Sequence, residues 1–223
     1  MAICQCVNAI DILIINLEIS ELAICTLAYW QICTLKGGIM LQEIVISGFG
    51  GQGVLLMGKI LAYAGIMEDK EVSWFPAYGP EQRGGTANVT VIVSGKPISS
   101  PIVNTYDIAI VLNQPSFDKF EAKLKPGGIL IYDDYSISKK PERTDISVYR
   151  INAMEEASKL QNTKVFNMIV LGGLLKISPM VQIDNVMEGL KKSLPERHHR
   201  LLPMNEKAIL LGMEKIVREQ QAE

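Results

Sequence analysis

No cysteine follows Cys33. The four that exist, Cys4, Cys6, Cys25 and Cys33, crowd the amino-terminal segment. A secreted disulfide scaffold spreads its cysteines through the body of the fold, and an iron–sulfur site needs a run of the C-x-x-C-x-x-C type. Neither pattern is present, so these cysteines read as incidental apolar residues. Histidine is equally scarce. His198 and His199 stand side by side near a proline turn, and no Ser-His-Asp or Cys-His set is available for covalent catalysis. A charge surplus is also lacking: 22 basic against 24 acidic residues leave a net charge of -2. That argues against a nucleic-acid footprint, which needs a basic surplus or stripe. The longest basic run, KKSLPERHHR from Lys191 to Arg200, reads as a solvated helix end and turn.

Long uncharged apolar runs are missing too. The longest in the first 39 residues is Leu22 to Leu35, shorter than the roughly 20 residues a membrane-spanning helix needs. No positively charged start or small-residue cleavage site marks a signal peptide. Residues 1–39 are nonetheless distinct: rich in Ile, Leu, Ala and Cys, with Lys36 their only basic residue. The composition changes abruptly at Met40, directly before LQEIVISGFGGQG. The expectation is that Met40 is the true start and that 1–39 form an atypical upstream extension, with one α/β domain over 40–223.

What is present from there is a regular alternation. EIVIS (Glu43–Ser47), TANVTVIVS (Thr86–Ser94), DIAIVLN (Asp107–Asn113), ILIYDD (Ile129–Asp134) and DISVYRI (Asp145–Ile151) are apolar, β-branched runs that read as strands. VSWFPAYG (Val72–Gly79) is a further extended segment. Val54–Met67 has apolar residues at helical spacing. Ser116–Lys125 reads as a helix capped by Ser116 and stopped at Pro126-Gly127-Gly128. After Ile151 the chain reads as helices over 153–161, 167–178, 183–194 and 205–221, with Asp184 and Asn205 at cap positions. Continuous apolar strands alternating with helices imply a Rossmann-like three-layer α/β domain, with a mixed, mainly parallel sheet and a helical carboxyl-terminal part. Thr86–Val103 lacks a long helix, which predicts an antiparallel pair within that sheet.

GFGGQG, Gly48 to Gly53, sits between the first strand and the first helix. Glycines there allow a tight turn and close backbone approach, and amides at a helix start favour an anion. A dinucleotide site also needs an acidic residue at the end of the second strand. VSWFPAYG ends without one. Glu68, Asp69 and Glu71 precede that strand and would point away from the crevice. A Walker A spelling is absent as well. A second cluster, FPAYGPEQRGG, brings Tyr78, Glu81 and Arg83 together among glycines and prolines. Arg83 with nearby amides could hold a phosphate or carboxylate. The other reading is an Arg83–Glu81 surface pair beside a hairpin.

GFGGQGVLLMGKILAYAG (Gly48–Gly65), followed by PAYGPEQRGGTANVTVIVS (Pro76–Ser94) and SPIV (Ser100–Val103), resembles the gamma subunit or gamma domain of the 2-oxoacid:ferredoxin oxidoreductases. IVLNQPSFDKFEAKLKPGGILIYDDYSI (Ile110–Ile137) is similar to that family's middle section. The likeness runs from Leu41 to the carboxyl terminus and leaves out residues 1–39.

The resemblance implies a cytoplasmic enzyme complex of anaerobic metabolism. It oxidatively decarboxylates a 2-oxoacid, passes the acyl group to coenzyme A and delivers electrons to ferredoxin. Thiamine diphosphate, iron–sulfur clusters and coenzyme A belong to the assembled complex, and this chain alone binds no cofactor. The implied partners are alpha and beta subunits and a ferredoxin-like delta subunit, with no nucleic acid and no membrane. The substrate is read as 2-oxoglutarate, with pyruvate or branched-chain 2-oxoacids as alternatives. From another class, the alternative is a stand-alone nucleotide-binding dehydrogenase. Carried over by position, two loops face the active site. One is Gly48, Gly50, Gly51, Gln52 and Gly53. The other is Tyr78, Gly79, Glu81, Arg83, Gly84 and Gly85. None is expected to be catalytic or to bind metal. Arg83 is the expected anion contact.

Overall fold

A computed structural model describes residues 41–78 and 85–219 of the chain. The extension 1–39 with its cysteines, and Gly79, Glu81, Arg83 and Gly84, lie outside the described residues.

The chain order is β1 (Gln42–Phe49), α1 (Val54–Met67), β2 (Glu71–Tyr78), β3 (Thr86–Ser94), β4 (Tyr106–Val111), α2 (Gln114–Phe120), β5 (Leu124–Asp133) and β6 (Ser147–Ile151). Helices α3 (Ala153–Lys159), α4 (Phe166–Ile177), α5 (Ile183–Ser193) and α6 (Leu202–Lys215) follow, and β7 (Val217–Arg218) closes the series. The strands form one sheet in the order β2-β3-β1-β4-β5-β6-β7. Its centre, β1-β4-β5-β6, is parallel, and β2, β3 and β7 add antiparallel margins.

The apolar runs are explained by two covered faces. On one side Ile44, Ile46, Ile108, Ile110 and Val91 join α1 and α4–α6 in a single core. On the other, Val45, Ala109, Val111 and Leu130 meet Phe117 and Phe120 of α2. Adjacent strand residues therefore point into different cores, and no polar alternation is possible in the central strands. That gives the three layers expected from the sequence.

Several boundaries differ from those expected. Asn113, not Ser116, caps α2: its Oδ1 accepts the Ser116 N–H at 2.9 Å, and Pro115 fits the first turn, where no amide is needed. The helix ends at Phe120 because Phe117 and Phe120 already fill the core, and a 3-10 turn follows. Pro126-Gly127-Gly128 lies inside β5, where the pairing register with β4 shifts; an irregular stretch tolerates the missing proline donor. Asp184 sits in the first turn of α5, after a Gln182 cap, where an acid suits the helix dipole. Asn205 lies inside α6, its Nδ2 donating to Leu201 O at 2.8 Å. Residues Val217–Arg218 leave the helix to pair with Tyr149 and Arg150. Thr86–Ser94 does pair antiparallel, but with β1 and β2 on its two sides, and 95–103 adds no strand.

Among the described residues no helix is long and apolar enough to cross a membrane, and no group of three His, Cys, Asp or Glu is placed to hold a metal.

Candidate functional site at the carboxyl ends of β1 and β4

After β1 the chain first builds β2 and β3 on one side, then returns to build β4 on the other. The carboxyl end of β1 is thus a topological switch point, the place where open α/β sheets form a crevice. Residues 49–53 occupy it.

The loop is held from within. Gln52 N–H donates to Phe49 O at 3.1 Å, and Phe49 N–H returns a bond to Gln52 Oε1 at 2.6 Å. Gln52 Nε2 donates across to Leu112 O, just past β4, at 3.2 Å. Gly51 and Gly53 have φ of 105° and 78°, backbone that favours glycine. Gly53 is the cap residue of α1, and the first bond of that helix is Met57 N–H to Gly53 O at 3.0 Å. The amides ahead of Met57 are those a helix leaves without an internal acceptor, and they make the start of α1 a weak positive pole.

The glycines are not equivalent. A Cβ on Gly48 would lie 2.5 Å from Gln52 Oε1, and one on Gly53 would press into Asn167, with its Cγ at 2.8 Å and its Cβ at 3.1 Å. A Cβ on Gly51 would meet nothing within 4 Å. Protein therefore fills the space at Gly48 and Gly53, and Gly51 alone of these three faces open space.

The second expected loop starts on the same edge. Tyr78 pairs with Ala87, and Ala87 with Gly48, so the three strand ends are level. Gly50 N–H donates to Gly85 O at 2.9 Å. The structure thus brings Gly48, Gly50, Gly51, Gln52, Gly53, Gly85 and the Tyr78 backbone to one edge. Glu68, Asp69 and Glu71 lie at the other end of β2. Glu68 is engaged there by Lys70, by the Gln182 N–H and by Asn185 Nδ2. The end of β2 carries Ala77 and Tyr78, so among the described residues no acid stands where a ribose would need one.

Three residues that shape this edge escaped the sequence reading. Asn113 is 1% exposed, and its Nδ2 has no partner among the described residues. Ser116 Oγ beside it lies 2.8 Å from Ser47 Oγ. Asp133, fully buried at the end of β5, accepts from Ser136 Oγ at 2.6 Å and from Ala153 N–H at 3.0 Å, tying β5 to the start of α3. Burial pushes its carboxyl above the usual range despite those bonds. Asn167 is the third, 6% exposed on α4 against Gly53. Its one local signal is being the polar residue in the run FNMIVLGGLL. It also walls a cleft of about 220 Å³ floored by Leu56, Met168, Leu190 and Leu194.

Residues 43–215 match the family described as pyruvate ferredoxin/flavodoxin oxidoreductase. Ketoisovalerate oxidoreductase subunit VorA of Methanothermobacter thermautotrophicus is 36% identical over 173 residues, 77% of this chain but 36% of that one. The chain therefore spans only about a third of that relative. The 2-oxoglutarate synthase subunit KorC of Methanocaldococcus jannaschii is 36% identical over 161 residues, 70% of this chain and 86% of that one. Among solved structures, the gamma subunit of a keto/oxoacid ferredoxin oxidoreductase from Geobacter sulfurreducens superimposes with a TM-score of 0.69 and 30% identity, over 79% of this chain and 96% of that one. With a family match across most of its length and a subunit-sized relative covered almost end to end, the chain belongs to the pyruvate ferredoxin/flavodoxin oxidoreductase family.

Proposed function

We propose that this chain is the gamma subunit of a multisubunit 2-oxoacid:ferredoxin oxidoreductase, in which the two glycine segments line the shared active-site crevice. The observation that carries the reading is their convergence. Residues 48–53 and Gly85 are separate in sequence, yet meet through the Gly50–Gly85 bond at the edge where α/β sheets take ligands. In the assembled enzyme, decarboxylation and electron transfer are the chemistry of thiamine diphosphate and iron–sulfur clusters, and coenzyme A receives the acyl group. The residues here fit part of that inventory. Residues 41–219 hold no cysteine, so they offer no thiolate to a cluster. The amides at the start of α1, the open face at Gly51 and the Arg83 guanidinium suit a phosphate. This chain would bind and orient an anionic group of coenzyme A or thiamine diphosphate, and the bond-making groups would come from the alpha and beta subunits.

The KorC relative supports 2-oxoglutarate as substrate. The VorA relatives, 36% and 43% identical, favour a branched-chain 2-oxoacid as the second reading. Purifying the native protein tests both levels. Stable association with alpha and beta chains, and coenzyme A-dependent ferredoxin reduction fastest with 2-oxoglutarate, are the expected results. Fastest turnover on 3-methyl-2-oxobutanoate would shift the substrate. A lone chain active with a nicotinamide cofactor would overturn the assignment.

A further inference from the structure

We infer that Gln52 is the positioning residue of the glycine loop, and that Gly48 is glycine in order to admit its side chain. The inference rests on the proposed reading only for its kinetic consequence; the structural part stands alone. The Gln52 carboxamide uses both ends. Oε1 takes the N–H of Phe49, the last residue of β1, at 2.6 Å, and Nε2 gives a bond to Leu112 O, just past β4, at 3.2 Å. Leu112 N–H in turn donates to Ser47 O at 2.9 Å. The side chain therefore spans the switch point from strand to strand. It satisfies two backbone groups that lose their ladder partners where the strands end, and it fixes the direction in which the Gly51 amide and the first turn of α1 face. A Cβ on Gly48 would lie 2.5 Å from Oε1, with Leu112 Cβ at 3.0 Å and Val54 Cγ2 at 3.2 Å. The first glycine of this GxGxxG spelling thus makes room for protein, and the ligand-facing position is Gly51. In a dinucleotide fold the corresponding glycines serve the turn and the approach of the pyrophosphate.

The test uses the full chain and the assembled complex, with Gln52→Ala, Gly48→Ala and the double variant. Amide hydrogen exchange of residues 49–56 reads the loop directly. One lost hydrogen bond should speed exchange at Phe49 about tenfold. Gly48→Ala should speed it similarly, since its methyl expels Oε1. The double variant should fall well short of the sum of the two, because the Oε1 contact at 2.5 Å is gone and only the milder crowding against Leu112 Cβ and Val54 Cγ2 remains. Gln52→Glu retains an acceptor for Phe49 but loses the donor to Leu112 O, so it should loosen the loop at neutral pH less than Gln52→Ala does. In the complex, the KM for coenzyme A should rise about tenfold in Gln52→Ala, with kcat changed less and assembly intact. Unaltered exchange in Gln52→Ala, or additive effects in the double variant, would overturn the inference whatever the kinetics. Faster exchange with unchanged kinetics would leave the strut standing and reject the crevice reading.

Discussion

Gly53→Ala separates two physical terms that a glycine pattern merges. At φ of 78° an alanine pays for left-handed backbone, about 1–2 kcal/mol. Its methyl would also enter Asn167, whose Cγ and Cβ would stand 2.8 and 3.1 Å from it. Turning the amide away clears Nδ2 but not the Cβ, so α4 must shift by some tenths of an ångström. Overpacking of this kind costs about 1–3 kcal/mol. The sum is about 2–5 kcal/mol for a full Gly53→Ala change, or roughly 4–20 °C in Tm for a body of this size. Gly51→Ala is the internal control. Its φ of 105° brings comparable strain, but nothing lies within 4 Å to be struck.

The assay is equilibrium urea unfolding of the wild type, both alanine variants, Asn167→Ala and Gly53→Ala/Asn167→Ala. Gly53→Ala should cost more than Gly51→Ala by the crowding term. Adding Asn167→Ala should recover part of that term, giving a coupling of about 1 kcal/mol or more between residues far apart in sequence. Asn167 has no hydrogen bond among the described residues, so its own truncation removes packing and no bond. Equal costs for the two glycine variants, or a coupling near zero, would refute the claim that Asn167 fills the space at Gly53.

Gly212→Ala should destabilise by about 1–3 kcal/mol even after alanine's gain in helix propensity, because the methyl would meet the Ile169 carbonyl of α4 and backbone cannot step aside. Exposed Leu210→Ala on the same helix should stay within about 0.5 kcal/mol in the same unfolding experiment. For Glu68, burial pulls the carboxyl upward, but bonds from Lys70, Asn185 and the Gln182 N–H outweigh it and leave the group below its ordinary value of 4.5. A lowered carboxylate stabilises above its unfolded value and loses that contribution as pH falls. Wild type should therefore lose stability more steeply than Glu68→Gln between about pH 5 and pH 3, read by denaturant titration at each pH. Arg83→Ala in the assembled complex should raise the KM for coenzyme A or the 2-oxoacid, or lower kcat, while the subunits still co-purify; unaltered steady-state kinetics would remove Arg83 from any substrate role.

The layers of the fold were legible because burial on both faces leaves a direct mark. Ile44, Val45 and Ile46 face alternate cores and are all fully buried, so the sequence carries an unbroken apolar run. The ends of elements were less legible because single side chains decide them. Asn113 looked like the last residue of a strand, and only the folded chain shows its Oδ1 bound to Ser116 N–H. Pro126-Gly127-Gly128 has the composition of a helix stop, yet pairing with β4 on both sides of the irregularity keeps it in β5. At the carboxyl end, the periodicity of α6 runs on past Lys215. Competition from the open edge of β6 ends it, and no local residue reports that.

The glycine loop was legible in one sense and opaque in another. A glycine in a sequence records that a Cβ is missing. It does not record what takes the vacated space. At Gly48 the occupant is Gln52, four residues on, and a reader who knew the loop closes on itself could have paired them. At Gly53 it is Asn167, on a helix that the sequence places late in the chain. Nothing near Gly53 names it, although a lone amide in the apolar run FNMIVLGGLL was a signal that something polar-tolerant lay opposite. At Gly51 the space is open. A GxGxxG spelling therefore cannot by itself distinguish a nucleotide cradle from a loop packed by its own protein. The discriminating facts are the acid at the end of the second strand and the identity of each occupant. Among the described residues that acid is absent, and the spaces at Gly48 and Gly53 are filled from within. Of the three, the space at Gly51, near the start of α1, is the one open to a ligand among the described residues.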